Sequence, residues 1–262
     1  MASRAAILVA GHEREGMLAV PFRGRFRWSN VLGVSEQTIG HGTRREREEC
    51  TAEQLAILSA AGVSDSLDAI GMRNQVLTSG LQPLSRGSRI AGRAATVQFA
   101  PTETDSAQPY AAAIEFIDSL TPGSVPVIAT NSDGRTAYWG ELFSAAAIGR
   151  GAVGTICDGP ARDTAKIRKL GYPVFAANSR PIDFRARMMI VSAGAPVRCG
   201  GVLVTPGDLI IGDDDGIVVV PRPVEAEVLS LAFARASTEQ TVLDELLAGT
   251  ALQVVWDRWK VL

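Results

Sequence analysis

The sequence predicts an α/β domain with an added β layer, and two patterns carry that prediction. Between residues 94 and 177, apolar runs of strand length alternate with segments of helix length, as they do in βαβ units. After Met188 the chain changes to short apolar runs that are separated by the turn signatures Pro206-Gly207-Asp208 and Asp213-Asp214-Asp215-Gly216. With 262 residues, of which 46% are hydrophobic and 21% charged, the chain is long and apolar enough to bury a core.

Helix-capping residues and helix-breaking residues predict the first helices and strands. Thr51-x-x-Gln54 has the spacing of a capping box and predicts a helix that ends near Gly62. Up to residue 177, the pattern predicts strands over 94–100, 125–130, 153–157 and 173–177, helices over 109–120, 141–150 and 163–170, and loops over 131–140 and 158–162.

The remaining elements complete the domain. Strands are predicted over 197–204, 209–212 and 217–220, and Pro223 at a first helical position begins a long amphipathic helix that runs to about Gly249. We therefore divide the chain into an N-terminal extension (1–50), one domain (51–250) and a C-terminal tail (251–262).

Composition excludes several classes of protein. A net charge of −2 lacks the basic excess of a general nucleic-acid binder. The three cysteines are scattered, so neither a disulfide framework nor a zinc knuckle is supported. No apolar stretch approaches the ~20 residues of a membrane span, so we expect a cytoplasmic protein without membrane or nucleic-acid partners. Because His12 and His41 both precede residue 50, chemistry in the domain must depend on carboxylates, Arg, Lys or a metal.

The candidate site lies where two predicted strands lead into helices. Glu141 begins one helix, and Arg162-Asp163 precede the other. Ligands of α/β folds collect outside the carboxyl ends of strands, where helix N-termini favour anions and an Arg fork can hold a carboxylate. Two acids also suit Mg²⁺, which keeps several waters. The alternative is purely structural, because acids in a first helical turn commonly serve only to complement the helix dipole.

At these positions the sequence resembles the RraA-like family, which includes the class II 4-hydroxy-4-methyl-2-oxoglutarate / 4-carboxy-4-hydroxy-2-oxoadipate aldolases. The family signature is an acid, twenty intervening residues and Arg-Asp, and Glu141 and Arg162-Asp163 keep that spacing. Gly151-x-x-Gly154-x-x-x-Asp158-Gly159 and Pro173-Val174-Phe175-Ala176 also match. The resemblance spans roughly residues 62–249 and implies a β/β/α swivelling-type domain with a mixed sheet core and a long C-terminal helix.

The resemblance also implies roles for individual residues. Asp163 would be the direct ligand of Mg²⁺ or Mn²⁺, Glu141 would hold a metal-bound water, and Arg162 would bind the carboxylate of the pyruvyl unit. The aldolase members have an aspartate at the position of Glu141, and the added methylene should reach the same water. Three backbone N–H groups would assist Arg162, those of Leu142, Phe143 and Ser144.

The family further implies a homotrimer or a dimer of trimers with sites between subunits, in which Glu239 of a neighbouring subunit would add a carboxylate. The expected activity is metal-dependent cleavage of a 4-hydroxy-2-oxo acid to pyruvate and a carbonyl product, with oxaloacetate decarboxylation as a side activity. The predicted loops hold no lysine, which disfavours a Schiff base. Contacts to the distal half of the substrate are expected in residues 131–139 or on another subunit.

Two other functions stay open at this stage. Because a fold does not fix a function, another lyase such as a sugar-acid dehydratase could use the same scaffold. An interaction protein like the RNase E inhibitor that names the family would act through its surface. The joint presence of Glu141, Arg162 and Asp163 favours an enzyme.

Overall fold

A mixed sheet with helices on one face and a β hairpin on the other forms the centre of the protein. The computed structural model describes residues 50–78 and 80–261. Its strands are β1 (Gln82–Pro83), β2 (Ile90–Pro101), β3 (Ser124–Ala129), β4 (Thr155–Ala161), β5 (Val174–Ser179), β6 (Met188–Ala193), β7 (Val197–Cys199), β8 (Val202–Val204), β9 (Leu209–Asp213) and β10 (Gly216–Val220).

Seven α-helices are described in the same residues. They are α1 (Ala52–Leu55), α2 (Ala60–Ala69), α3 (Ala111–Asp118), α4 (Glu141–Gly149), α5 (Thr164–Leu170), α6 (Glu225–Leu247) and α7 (Leu252–Trp259), and a 3₁₀ turn over Arg222–Val224 precedes α6. None of the helices that the structure describes has both the length and the apolar character needed to cross a bilayer.

The eight-stranded sheet has the order β1-β5-β4-β3-β2-β9-β10, and β6 pairs with the C-terminal half of β2. Strands β2, β3, β4 and β5 are mutually parallel, whereas β1, β6, β9 and β10 pair in antiparallel fashion. Every residue of β3 and β4 is buried, as expected for central parallel strands that are covered on both faces.

Alternate residues of the central strands face two different layers. Ile128 and Cys157 join a core with α3, α4 and α5, while the preceding residues Val127 and Ile156 join a core with the β7–β8 hairpin. A third core lies between β9–β10 and helices α2 and α6. The fold is therefore the mixed α/β architecture with a β layer and a long C-terminal helix that the sequence predicts.

Most predicted elements are present, but three predictions are wrong. The capping box of Thr51 and Gln54 forms, with N···O distances of 2.8 and 3.3 Å, yet its helix ends at Leu55. Helix α2 then runs through Gly62, because Ser59 caps it by accepting a hydrogen bond from the Gly62 amide.

The predicted loop 158–162 is a strand up to Ala161, since β4 continues to pair with β5 beyond an irregularity in register. The predicted strand 197–204 is a hairpin, because Gly200 and Gly201 both have positive φ and reverse the chain. Residues 1–49 of the predicted N-terminal extension lie outside the described residues. In the C-terminal tail, α7 lies beside α6, and Arg258 pairs with Glu245 at 2.8 Å.

Candidate active site

Two strand-to-helix junctions meet at one edge of the sheet. The first is the segment 137–141 that leads into α4, and the second is the segment 160–163 that leads from β4 into α5. Backbone hydrogen bonds join them: the Arg162 amide donates to the Trp139 carbonyl (2.9 Å), and the Tyr138 amide donates to the Pro160 carbonyl (3.0 Å). This pairing brings Glu141, Arg162 and Asp163 to a single pocket, as the sequence predicts.

Asp163 occupies a backbone conformation that few residues tolerate. It caps α5 with φ 56° and ψ 29°, in the left-handed region where aspartate and asparagine are enriched. Its carboxylate makes no cap hydrogen bond, and Arg162 Nε lies 3.8 Å from Oδ2. The junction therefore projects a carboxylate that the helix terminus does not use.

The first junction leaves room for that carboxylate. Gly140 adopts an extended conformation, with φ −154°, that any residue could adopt. A Cβ added at Gly140 would, however, lie 3.0 Å from Asp163 Oδ2 and 3.3 Å from Arg162 Cγ. A side chain at position 140 would therefore make the Asp163 and Arg162 side chains shift, so the glycine contributes space here and not backbone freedom.

Arg162 is held in place by Asp183, a partner that no sequence motif indicates. Asp183, in the loop after β5, lies 2.6 Å from Arg162 Nη1, and both side chains are partly exposed. Because the guanidinium has five N–H donors, others remain for a ligand. Burial raises the pKa of Tyr110, and the Asp183 carboxylate, which accepts a hydrogen bond from the Tyr110 hydroxyl, raises it further.

Glu141 is paired with a lysine. Lys166 Nζ lies 2.9 Å from Glu141 Oε2, on an exposed face of α5. This hydrogen bond, with the charges of Glu141 and Asp163, raises the pKa of Lys166. The amine is therefore protonated at neutral pH, and it serves as the ion-pair partner of Glu141.

The predicted amide set must shift by one residue. The Ser144 amide donates to the Gly140 carbonyl at 3.0 Å as the first bond of α4, so it cannot bind a substrate as the sequence analysis expected. Its buried hydroxyl accepts from Trp139 Nε1 (2.8 Å) and holds that indole in place. The N–H groups without an intrahelical acceptor are those of Glu141, Leu142 and Phe143.

The pocket beside these residues has a volume of about 330 Å³. Its charged end carries Glu141, Arg162, Asp163 and Asp183, and the remaining wall is almost entirely apolar. Ala137, Tyr138 and Trp139 from the predicted 131–139 segment line it. Four further lining residues have no signal in the sequence, because they come from distant elements: Tyr110, Ile114, Asp183 and Phe184.

The donor set fits a hard divalent cation. Among the described residues, no three Asp, Glu, His or Cys side chains form a complete metal cage. Mg²⁺ does not need one, since it commonly takes one or two carboxylates and completes its shell with water and substrate oxygens. The Asp163 carboxylate, which is 40% exposed and not used as a cap, has the chemistry of such a ligand.

Glu239 lies on α6, where Arg235 Nε is 2.7 Å from its carboxylate, and it does not line the pocket of its own chain. Its contribution to a neighbouring subunit stays a prediction.

Comparison with known proteins identifies the class. The family description "RraA-like: Aldolase/RraA" matches residues 60–219, so the chain belongs to the RraA-like family. It is 32% identical over 201 residues to protein DlpA of Legionella pneumophila, and that match covers 77% of this chain and 32% of DlpA. The chain thus spans about a third of the length of that relative.

Two further relatives are informative. The "Putative 4-hydroxy-4-methyl-2-oxoglutarate aldolase" of Halalkalibacterium halodurans is 31% identical over 199 residues, which cover 74% of this chain and 90% of that protein. The crystal structure of Streptomyces coelicolor RraAS2, described as an unusual member of the RNase ES inhibitor RraA protein family, matches with a TM-score of 0.66 at 30% identity. That match covers 74% of this chain and 97% of RraAS2.

Proposed function

We propose that this protein is a divalent-metal-dependent lyase that cleaves a 4-hydroxy-2-oxo acid to pyruvate and a carbonyl product, with oxaloacetate decarboxylation as a side activity. The observation that carries the proposal is the convergence of Asp163, Arg162 and Glu141 on one pocket at the carboxyl ends of parallel strands. Membership of the RraA-like family and the similarity to a relative named as an aldolase support it.

The reaction requires a specific balance of bonds and protons. The C3–C4 bond breaks, its electron pair goes to the pyruvyl half as an enolate, and the C4 hydroxyl loses its proton as C4 becomes a carbonyl carbon. Protonation at C3 then gives pyruvate. Decarboxylation of oxaloacetate forms the same enolate with CO₂ as the leaving group. A bound Mg²⁺ or Mn²⁺ would act as the Lewis acid that stabilises the enolate.

The side chains of the pocket have complementary tasks. Asp163 would hold the cation, and Arg162, fixed by Asp183, would bind the substrate carboxylate with its remaining N–H donors. The free amides of Glu141, Leu142 and Phe143 point out of the N-terminus of α4 and would favour the same anion. Glu141 would orient the water that accepts the hydroxyl proton.

The proposal includes a neighbouring subunit in a homotrimer or a dimer of trimers, with Glu239 as the added carboxylate. Mass measurement by light scattering would test the assembly. A mixed assembly of Asp163→Asn and Glu239→Gln chains tests the sharing of the site, since subunits that share sites regain part of the activity that each variant lacks alone.

Pyruvate release, coupled to NADH oxidation by lactate dehydrogenase, tests the activity. We expect release from oxaloacetate and from 4-hydroxy-2-oxo acids with Mg²⁺ or Mn²⁺, and its loss with excess chelator. Absence of release with either metal would contradict the lyase assignment. Inhibition of a ribonuclease by the chain, retained in Asp163→Asn, would instead support a surface-acting regulator.

A further inference from the structure

The pocket has a charged end and an apolar wall. Three carboxylates lie at its charged end, on Glu141, Asp163 and Asp183, and Arg162 is the one cationic side chain among the described residues that line it. That guanidinium is already within 2.6 Å of Asp183 and 3.8 Å of Asp163. A ligand that brings one carboxylate can share Arg162, but the described lining residues offer no second cationic side chain for another carboxylate.

Two described cationic side chains near the pocket do not line it and are already paired. The charges of Tyr110 and Asp183 act on Arg185, but Asp105 holds its guanidinium at 2.9 and 3.2 Å. Lys166 is likewise held by Glu141 and does not line the pocket.

The rest of the wall is built from aromatic pairs. Tyr110 and Phe184 pack edge to face with their ring centroids 5.5 Å apart, and Trp139 and Phe143 lie 5.7 Å apart. The rim adds two apolar side chains that solvent reaches freely, Ile114 (54% exposed) and Leu142 (79% exposed). Such surface gains from covering by apolar groups, at about fourfold in affinity for each methylene that is buried.

We propose that the distal half of the substrate is an alkyl or aryl group, and not a second carboxylate, and that it binds between these two aromatic pairs. This inference rests on the proposed function. The 2-oxo acid end lies at Arg162 and Asp163, and the C4 substituent extends along the wall of Tyr110, Trp139 and Phe184. The chain would thereby differ from the relative named for 4-hydroxy-4-methyl-2-oxoglutarate, a compound with a carboxylate in its distal half.

A second, more open depression is the alternative binding place for the distal half of the substrate. It shares Arg162 and Asp163 and is lined further by Thr164, Ser179 and Arg180. A distal carboxylate that bound there would depend on Arg180, whereas an apolar tail in the aromatic pocket would not. The two arrangements therefore predict opposite responses to changes at Ile114 and Arg180.

Equilibrium binding distinguishes them without any turnover. The probes are 5-methyl-2-oxohexanoate and 2-oxoglutarate, which have similar shapes and carry an isopropyl group and a carboxylate, respectively, at the same position. Each is titrated into the full chain by isothermal calorimetry, with and without Mg²⁺. We expect the isopropyl compound to bind at least ~10-fold more tightly, because it buries two or more carbon groups that a carboxylate does not.

Three variants sharpen the test. Ile114→Arg places a cation on the apolar wall and should reduce the preference at least ~10-fold. Ile148→Arg is the matched control, because Ile148 is a comparably exposed isoleucine (43%) on α4 that does not line the pocket, and it should leave the preference unchanged. Arg180→Gln should also leave it unchanged.

The outcomes separate this inference from the proposed function. Equal or tighter binding of 2-oxoglutarate overturns the apolar-tail assignment. So does a preference that responds to Arg180→Gln but not to Ile114→Arg, and so does the absence of binding of the isopropyl compound at ~10 mM. If the isopropyl compound binds as expected while no 4-hydroxy-2-oxo acid yields pyruvate, the pocket assignment stands and the lyase proposal fails.

Discussion

The two junctions at the sheet edge contribute different parts of the candidate site. Gly140-Glu141 enters α4 through an extended residue, and its glycine leaves space for the Asp163 carboxylate beside it. Arg162-Asp163 enters α5 through a left-handed aspartate whose carboxylate stays free of the helix cap. The first junction provides space, amides and Glu141, and the second provides the Arg162 and Asp163 pair. Catalysis should therefore be more sensitive to changes in the second junction.

The largest expected effect tests the free carboxylate. Asp163→Asn keeps a residue that tolerates positive φ but removes the charge, so we expect pyruvate release to fall roughly 1000-fold. Thermal unfolding should be unchanged, because the carboxylate makes no cap hydrogen bond. Asp118→Asn, which changes an exposed aspartate outside the pocket, is the control. Retained release in Asp163→Asn would mean that the second junction is only structural.

Replacement of the guanidinium should have the next largest effect. Arg162→Lys keeps the positive charge but loses the planar fork that can contact Asp183 and a substrate carboxylate together. We expect kcat/KM to fall about 100-fold, mainly through KM. A fall in kcat alone would show that Arg162 acts on the reacting atoms and not on the carboxylate.

Filling the space at the first junction should cost less. Gly140→Ala places a methyl group 3.0 Å from Asp163 Oδ2, so the carboxylate must shift, and we expect roughly a 10-fold loss of kcat/KM with the fold intact. Gly149→Ala lies on the same helix with nothing within 4 Å of the added Cβ, so it should leave the kinetics unchanged. Equal kinetics for both variants would contradict the spatial role of Gly140.

The smallest effect is expected at Lys166. Lys166→Met removes the exposed partner of Glu141, and we expect activity at neutral pH to change by less than about threefold. The raised pKa of Lys166 means that the ion pair is fully present below the ordinary lysine pKa and is lost only as the pH rises through the higher value. The wild-type and variant unfolding curves should therefore converge at strongly alkaline pH. NMR titration of the Lys166 ammonium would measure this directly.

Local patterns predicted the parts of the molecule that depend on neighbours in sequence. The capping box at Thr51, the parallel strands and the helices after Glu141 and Asp163 are all set by residue spacing and hydrophobic period. The errors arose where long-range pairing overrode local cues. Backbone pairing with β5 extends β4 through the Asp158-Gly159-Pro160 segment, which reads as a loop by composition.

The residues of the candidate site also fall into those that the sequence predicts and those that it does not. Glu141 and Arg162-Asp163 were predictable, because carboxyl ends of adjacent parallel strands must meet at one edge. Asp183 and Tyr110 were not, since each comes from a separate element and touches the site only after the chain has packed. The commitment of the Ser144 amide to Gly140 likewise depended on where α4 begins.

The sequence alone thus determined the family, the α/β class and the acid and Arg-Asp set, because these follow from short-range spacing. Only the tertiary structure decided that Asp183 pairs with Arg162, that Gly140 leaves space for Asp163 and that aromatic pairs line the pocket. The physical reason is that contacts between side chains from distant elements are fixed by packing, and packing depends on the whole chain.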